Sequence, residues 1–384
     1  MKKYDVAIVG AGIIGASIAY ELAQYKLDVV VFEKNPKVAN ETSLGNSGLI
    51  HGGFDPEPHK IEAKLNLAGN RKWQEKWFKH LKFPRVKIDS LILAFDEGEE
   101  MQHIHMLYER GLINKLDPKD LKILTREEVM QREPNVNPEV KGALLCTSSV
   151  AIQPVEATRA LLGASLQNGT ELKVNSQVTK ITWDESTKLF EIEINGKEKV
   201  YSKKVIDAAG HYADKIANEN GFDDFKQTTR RGEYRILDNY DPNLIHSVLF
   251  KVPTIYGKGV IVAPTLDGKY LVGPTAEEGV AKEDTRLVTP EKYKHIGEIG
   301  KKIIPSLKLE RTIMTLSGSR PIDIETNDFV IRKSKNNPHF LIAGGMQSPA
   351  LSSAPSIAEE IVKLLELDLK EREDFKPDYK IDVY

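Results

Sequence analysis

The feature that most constrains the fold of this chain is a glycine-rich stretch at residues 4–33, YDVAIVGAGIIGASIAYELAQYKLDVVVFE. Residues 6–9 form a short apolar run that predicts a buried strand, and Gly10, Gly12 and Gly15 follow at G-x-G-x-x-G spacing before an apolar helical run. In such a turn the first glycine permits a tight bend, the second lets the backbone approach a pyrophosphate, and the third lets helix and strand pack closely. The stretch therefore predicts a dinucleotide cradle.

The residues after the helix strengthen this prediction. Residues 27–32 read as a second strand, and Glu33 follows it at the distance from the glycines where a carboxylate accepts the hydroxyls of an adenosine ribose. An ordinary βαβ unit with chance glycines would not need an acid at this place. The cradle alone leaves NAD and FAD open as cofactors.

Length, charge and cysteine content limit what else the chain can be. At 384 residues it is long enough for two domains of about 150 residues or more. The net charge is −2 and no basic block appears, so nucleic acid is not an expected partner. The single cysteine, Cys146, excludes an internal disulfide, is expected to be a small buried residue, and favours a reducing, cytoplasmic location. The uncharged run after Lys2 and Lys3 is shorter than the roughly twenty residues that span a bilayer.

The order of elements predicts an α/β fold of two domains. After the cradle, strands dominate from about residue 172 onward, with an Asn195-Gly196 hairpin turn, and a capping box of Thr125 and Glu128 opens a short helix. A strand near residues 340–343 and a helix from about Pro355 return to α/β character at the end. We therefore predict a Rossmann-like dinucleotide-binding domain of residues 1–90, 145–225 and 312–384, with an inserted antiparallel substrate domain of residues 91–144 and 226–311.

A polar loop after the cradle is the second informative stretch. Residues 42–51, TSLGNSGLIH, place hydroxyl and amide groups beside glycines, as a backbone does where it passes close to a phosphate or a flat ring. If the second half is extended, Ser47, Leu49 and His51 point to one face, because side chains alternate along a strand. A histidine at a random position is more often structural, but the cradle and the loop favour a functional His51.

At this point the sequence carries a resemblance. The cradle, the ETS and NSGLIHGG blocks and the closing GGMQSPALSSAPSIAEEI segment resemble the FAD-dependent oxidases of the glycine-oxidase and D-amino-acid-oxidase (DAO) superfamily. More narrowly, NSGLIH with DPEPHKIEAKL, TTRRGEY, VPTIYGKGVIVAPTLDGKYLVGPTA and SGSRPID is similar to the short-form glycerol-3-phosphate oxidases of wall-less bacteria, over nearly the whole chain. The NSGLIH block is also similar to L-2-hydroxyglutarate oxidases and dehydrogenases.

The resemblance implies FAD as the cofactor and a set of residues that contact it. Besides the glycine turn, Val178 is implied to hold the adenine through its backbone, and the start of the last helix to lie along the flavin, where its dipole would favour negative charge on a reduced ring. The implied FAD-binding residues are Gly10, Gly12, Ile14, Gly15, Glu33, Lys34, Thr42, Ser43, Ser47, Gly48, Leu49, Val178, Ala209, Gly210, Met346, Gln347, Leu351 and Ser352.

The resemblance also implies that Ser47, His51, Lys258, Arg320 and Ser348 face the substrate. Oxidation of sn-glycerol 3-phosphate needs a base for the C2 hydroxyl, which is His51, and cations for the phosphate. Arg320 offers a planar fork and Lys258 a point charge, although either cation could instead be a solvated surface side chain. The expected products are dihydroxyacetone phosphate and, after reoxidation by O2, hydrogen peroxide.

Alternatives remain at this stage. A related flavoenzyme could act on L-2-hydroxyglutarate or an amino acid, and a flavin-binding protein without turnover could act as a sensor. A metal site is not expected, because His103 and His105 would point to different sides of a helix and no Cys and His cluster has zinc spacing. Arg230 and Arg231 could attract an anion, but a charged pair that opens a strand is more often solvated. Oligomeric state does not follow from the sequence.

Overall fold

The computed structural model of the chain describes residues 2–223, 225–252, 259–378 and 380–384. The strands of these residues, in chain order, are β1 Lys3–Val9, β2 Val29–Phe32, β3 Leu49–Ile50, β4 Arg85–Lys87, β5 Ser90–Ala94, β6 Leu121–Thr125, β7 Gly142–Cys146, β8 Val150–Ile152, β9 Glu171–Lys173, β10 Val178–Asp184, β11 Leu189–Ile194, β12 Glu198–Asp207, β13 Gln227–Leu237, β14 Val248–Lys251, β15 Ile261–Pro264, β16 Tyr270–Gly273, β17 Glu277–Glu278, β18 Thr312–Asp323, β19 Val330–Lys333 and β20 Phe340–Gly344.

The helices of the same residues pack mainly on the sheets. They are α1 Ile13–Leu22, α2 Ile61–Lys72, α3 Phe78–His80, α4 Glu99–Ile113, α5 Arg126–Arg132, α6 Pro154–Gln167, α7 Ala213–Glu219, α8 Pro290–Ile303 and α9 Ala350–Leu364. A π-helical turn, Trp73–Trp77, joins α2 to α3. No helix in the described ranges is both long and apolar enough to cross a membrane.

An eight-stranded sheet carries the cradle. Its path runs β10-β11-β12-β1-β2-β9, and β20 joins β12 with β19 beyond it. The strands β9, β2, β1, β12 and β20 run parallel, as buried α/β strands do, and every residue of β2 is buried. Helix α1 is buried along its whole length because it packs between this sheet and helices α6 and α9. The predicted Rossmann-like fold is confirmed.

A nine-stranded sheet forms the second layer of strands. Its path runs β17-β13-β16-β15-β14-β5-β7-β6, and the long strand β18 pairs with β13. The sheet is antiparallel as predicted except at one place, where β14 runs parallel to β5. The prediction of a purely antiparallel sheet is therefore wrong at this pair. Two parallel strands need a long connection between them, and the chain between residues 94 and 248 provides it. A third, smaller sheet has three strands in the order β3-β8-β4.

The predicted domain boundaries stay a prediction. Strand β18 begins at Thr312, within the segment assigned to the FAD-binding domain, yet it pairs along most of its length with β13 of the nine-stranded sheet. Strand β7, Gly142–Cys146, likewise lies across the boundary at 144.

Local signals in the sequence were reliable. The capping box is present, with Thr125 Oγ1 accepting from the Glu128 amide and Glu128 Oε2 accepting from the Thr125 amide at 2.9 Å. Asn195 and Gly196 both have positive φ, 54° and 68°, as the hairpin turn requires. Cys146 is free and buried, and burial raises the pKa of its thiol.

The last helix differs from the prediction. It begins at Ala350 rather than near Pro355, so Pro355 lies inside the helix. A proline there removes the N–H that would bond to the carbonyl four residues earlier, which belongs to Leu351. The indole Nε1 of Trp73 donates to that carbonyl oxygen at 3.0 Å. A side chain from the π-helical turn thus satisfies the acceptor that the proline frees.

The arginine pair of β13 also differs from the prediction. Arg230 forms an ion pair with Glu278, but Arg231 is not solvated: it is buried and its Nη2 lies 2.6 Å from Glu277 Oε2 and 3.2 Å from Glu233 Oε1. Alternation along the strand puts the two side chains on opposite faces, so only one of them can reach water.

Candidate cofactor and active site

The glycine turn between β1 and α1 is built for close backbone contact. Gly10 has φ +103°, and a Cβ on it would lie 2.6 Å from the carbonyl oxygen of Ala208 at the end of β12. A Cβ on Gly15 would lie 2.0 Å from Gly10 O, so that glycine lets the helix sit against the turn, as predicted. The first amides of α1 are free of helical partners, and Ser43 Oγ accepts from the Ile13 amide at 2.9 Å.

Glu33 stands directly after β2, at the carboxyl edge of the parallel sheet. Its Oε2 accepts from the amide of Ala11 in the glycine turn at 2.9 Å, and its Oε1 accepts from the amide of Asn35 at 2.9 Å. These bonds fix the carboxylate beside the turn, where the sequence predicted a ribose partner.

The loop of residues 42–51 crosses from the cradle to the second sheet. Thr42 Oγ1 donates to the carbonyl of Ser319 on β18 at 2.6 Å. Gly45 and Gly318 touch backbone to backbone, because a Cβ on Gly45 would lie 2.1 Å from Ser317 O and one on Gly318 would lie 2.1 Å from Gly45 O. We call this contact of Gly45 with Gly318 the glycine clasp.

His51 is held at both its backbone groups. Its N–H donates to Ser352 Oγ on α9 at 2.8 Å, and its carbonyl oxygen accepts from Asn70 Nδ2 on α2 at 2.9 Å. Leu49 and His51 face one cavity while Ile50 is fully buried in the core behind them, so the predicted alternation holds. The imidazole ring lies 6.2 Å from the ring of Phe250, between centroids.

One cavity of about 700 Å³ connects these features. It extends along the edge of the cradle, from Glu33 and Val178 past the glycine turn to His51 and Arg320. The predicted site residues that line it are Gly10, Gly12, Ile14, Glu33, Lys34, Thr42, Ser43, Ser47, Leu49, His51, Val178, Ala209, Gly210, Arg320, Met346, Gln347, Ser348, Leu351 and Ser352.

Two predicted residues lie outside the lining of the cavity, and a third is not among the described residues. Gly15 and Gly48 do not line the cavity; both act through backbone contact, and a Cβ on Gly48 would lie 2.3 Å from the carbonyl oxygen of Ile152. Lys258 lies outside the described residues, so its role in phosphate binding stays a prediction.

The end of the cavity around Arg320 comes from the face of the nine-stranded sheet. Gly232 and Tyr234 of β13 and Gly318 and Arg320 of β18 all line it. The guanidinium donates from Nη2 to the carbonyl of Thr275 at 3.2 Å, and no carboxylate of the described residues forms an ion pair with it. Burial lowers the pKa of Arg320, because a low-dielectric environment disfavours the charged form.

Sequence reasoning did not single out Tyr234, Phe250 or His211, although all three line the cavity. Burial raises the pKa of Tyr234 to about 12, so its hydroxyl stays protonated and able to donate at neutral pH. The signal for Tyr234 was present in TTRRGEY, where it alternates with Gly232 and Arg230 on one strand face. Phe250 lies on β14 and His211 in the 3-10 turn Gly210–Tyr212, and no local pattern brings them here.

The cavity fits FAD by its size and by its donors. A volume of about 700 Å³ lies within the range of cofactor sites, and the lining includes the glycine turn together with Glu33 and Val178. The first turns of α1 and α9 both border it, so backbone amides and helix dipoles are available to negative charge at two points. The described part of the chain contains no group of three or more His, Cys, Asp or Glu side chains that could hold a metal ion.

Comparison with known proteins agrees with this geometry. The family model described as DAO, FAD dependent oxidoreductase, matches residues 5–364. Glycerol 3-phosphate oxidase of Mycoplasma genitalium is 48% identical over 383 residues, which cover 99% of both chains. The structure of dithionite-reduced L-alpha-glycerophosphate oxidase from Mycoplasma pneumoniae with FAD bound has a TM-score of 0.96 at 45% identity, and 99% of each chain is covered. Glycine oxidase from Geobacillus kaustophilus shares the fold, with a TM-score of 0.84 at 21% identity over 97% of this chain and 96% of that one.

Proposed function

This chain belongs to the DAO family of FAD-dependent oxidoreductases, and from that premise we propose that it oxidises sn-glycerol 3-phosphate to dihydroxyacetone phosphate and reduces O2 to hydrogen peroxide. The chemistry that FAD supplies when bound is acceptance of the hydride from C2 and transfer of two electrons to O2. The protein must then bind the phosphate, orient C2 and take the proton of the C2 hydroxyl.

The observation that carries the choice of substrate is Arg320. A half-buried guanidinium that lines the cavity without a carboxylate partner among the described residues is costly unless an anion joins it. Its planar fork matches the oxygens of a phosphate, and it lines the same cavity as His51. We assign the phosphate to Arg320, with Lys258 as a second cation and Ser348 and Ser47 as neutral donors.

His51 is the proposed general base. Its backbone is fixed by Ser352 and Asn70, and the residue lines the cavity, where a neutral imidazole can accept a proton. Loss of the hydroxyl proton to His51 as the hydride leaves C2 completes the carbonyl. The proton then remains available for the peroxide that forms from O2.

The compartment and partners follow from the same proposal. The partners are a small phosphorylated alcohol and O2. We place the enzyme in the cytoplasm, on the argument that its cysteine usage suits a reducing environment.

The decisive experiment uses the purified protein with its flavin. Under anaerobic conditions sn-glycerol 3-phosphate should bleach the flavin absorbance, whereas L-2-hydroxyglutarate and glycine should not, and in air peroxide should form in step with glycerol 3-phosphate consumption. Bleaching by L-2-hydroxyglutarate alone would refute the substrate. Bleaching without peroxide would make the enzyme a dehydrogenase.

The base is tested by His51→Ala in stopped-flow flavin reduction at saturating glycerol 3-phosphate. Reduction should slow by about 10²- to 10⁴-fold, the usual contribution of a positioned base. The matched control is His59→Ala, because His59 is an exposed histidine near the same loop. Undiminished reduction in His51→Ala would remove His51 from the mechanism.

A further inference from the structure

The cavity contains a histidine to which neither the sequence nor the resemblance gives a role. His211 lies in the 3-10 turn Gly210–Tyr212 that follows β12, and it is 2% exposed. It lines the cavity, and its Nε2 has no hydrogen-bond partner within the described part of the chain. A buried polar atom without a partner is rare in folded proteins, because its lost hydration is not replaced.

The position of His211 is set by the glycine turn. The segment Ala208–Ala209 touches Gly10, since a Cβ on Gly10 would lie 3.2 Å from the Cα of Ala209. His211 follows that segment after the positive-φ residue Gly210. It therefore stands beside the place where the glycine turn and the first turn of α1 offer amides to a diphosphate.

Neighbouring groups fix the ring and its charge. The imidazole packs on the ring of Tyr212 with centroids 4.5 Å apart, and Lys34 Nζ lies over the Tyr212 ring, 4.0 Å from its centroid. Burial lowers the pKa of His211 to about 4; Glu41 and Asp214 oppose that shift, and Lys34 and Lys282 add to it. The ring is neutral at physiological pH and carries one N–H.

We propose that His211 donates a hydrogen bond from Nε2 to the diphosphate of FAD. The tautomer with the proton on Nε2 supplies a donor that costs no buried charge, and phosphate oxygens are strong acceptors. The cofactor thereby satisfies the one buried imidazole nitrogen of the cavity that the protein leaves unpartnered in the described residues. This inference rests on FAD as cofactor and is independent of which substrate is oxidised.

The test measures cofactor binding rather than turnover. Full-length wild type and His211→Phe, each freed of flavin, are titrated with FAD by quenching of flavin fluorescence, and ADP and adenosine are then used as competitors. Phenylalanine keeps the ring packing on Tyr212 but has no donor. Loss of a hydrogen bond to a charged group predicts about tenfold weaker binding of FAD and of ADP, with adenosine unchanged. The rate of FAD release from the loaded protein should rise by a similar factor.

A matched control separates this role from a structural one. His103 on α4 also has an unpartnered Nε2 but does not line the cavity, so His103→Phe should leave FAD affinity unchanged. Flavin-free His211→Phe should unfold at the same or a higher temperature than flavin-free wild type, because it removes an unsatisfied polar atom. The effect of His211→Phe on stability should then be limited to a smaller rise in unfolding temperature than wild type shows when FAD is added.

Three results would overturn the proposal. Wild-type affinity of His211→Phe for FAD and ADP would show that the donor is not used. An equal loss for adenosine would place the contact on the nucleoside instead of the diphosphate. A lower unfolding temperature of flavin-free His211→Phe than of flavin-free wild type would make His211 structural.

Discussion

Arg320 and Arg230 occupy directly opposed positions on β18 and β13, yet their surroundings differ. Arg230 forms an ion pair with Glu278 at the edge, whereas within the described residues Arg320 bonds to the carbonyl of Thr275 and to no carboxylate. Like charges that face each other across a sheet destabilise it. A dianionic phosphate next to Arg320 would relieve that repulsion, so stability and substrate affinity are opposed at this residue.

This contrast gives a paired prediction. Arg320→Ala should raise KM for glycerol 3-phosphate by about 100-fold, the loss of a charged hydrogen-bonded contact of about 3 kcal/mol, with a smaller change in kcat. Phosphate binding is similar in the ground and transition states, which is why KM should carry the effect. Arg230→Ala is the control and should change KM little in the same oxygen-consumption assay. A large fall in kcat at unchanged KM would contradict the assignment of Arg320 to the phosphate.

His211 gives a prediction on stability and pH. In the unfolded chain it gains a proton as the pH falls below about 6.5, whereas in the flavin-free fold its pKa is about 4. Between these values the unfolded state binds more protons, so the free energy of unfolding falls as the pH falls, by at most about 3 kcal/mol from this residue. Urea unfolding of flavin-free wild type and His211→Phe at pH 7.5, 6.5, 5.5 and 4.5 measures it. The variant should lose less stability toward pH 4.5; parallel profiles would contradict the buried neutral imidazole.

At the scale of elements, helix α9 and the π-helical turn depend on each other. Pro355 frees the carbonyl of Leu351, and the Trp73 indole donates to it, so the two elements share one hydrogen bond that neither could make alone. The same helix places Ser352 against the His51 amide. A change in this packing therefore reaches the proposed base.

A double-mutant cycle checks the dependence. Trp73→Phe should lower the free energy of unfolding by the loss of packing and by about 1–3 kcal/mol for the carbonyl left without a donor. In a Pro355→Ala background the residue at 355 regains its N–H, so Trp73→Phe should cost less there, by about 1 kcal/mol. Strictly additive effects in urea unfolding would show that the indole bond contributes nothing.

Whether a feature could be predicted from the sequence depends on how far apart along the chain the residues that form it lie. The glycine turn, the capping box and the Asn195-Gly196 turn were predicted because each depends on residues within a few positions of one another, and Glu33 because it has a fixed spacing from the glycine turn. The parallel pairing of β14 with β5 and the buried ion pair of Arg231 with Glu277 were missed because they join distant segments.

The candidate site divides in the same way. Loop residues up to His51 were predicted by alternation and polarity, and Arg320 and Ser348 by resemblance, and the structure brings them to one cavity. His211 was missed because its environment is created by burial, which no local pattern reports. The early start of α9 was missed because proline usually marks a first turn, and only the distant Trp73 makes its interior position tolerable.

At the scale of the whole molecule, the glycine clasp brings the backbone of the loop of residues 42–51 into contact with the nine-stranded sheet. Gly45 belongs to the loop before His51 and Gly318 precedes Arg320 by two residues, so the clasp sets the spacing between the proposed base and the proposed phosphate ligand. The bond from Thr42 to Ser319 lies beside it and ties the same two segments.

The clasp can be tested with one methyl group. In Gly318→Ala the new Cβ would meet the backbone of Gly45, so the segments must separate, at a cost of about 1–3 kcal/mol in stability. Both KM for glycerol 3-phosphate and the rate of FAD release should rise, because the loop and the sheet shift together. Gly98→Ala, at the exposed start of α4, is the control and should leave both unchanged. An increase in KM without faster FAD release would mean that the loop does not move.

The order of strands in the eight-stranded sheet has a consequence for synthesis. The glycine turn is made first, but β12, which borders it, ends at Asp207, and β20 and α9 complete the sheet edge and the hold on His51 only after residue 352. A chain emerging from the ribosome thus carries the cofactor's anchor long before the walls around it. FAD capture therefore requires synthesis through α9, and until then α1 lacks one of the helices that cover it.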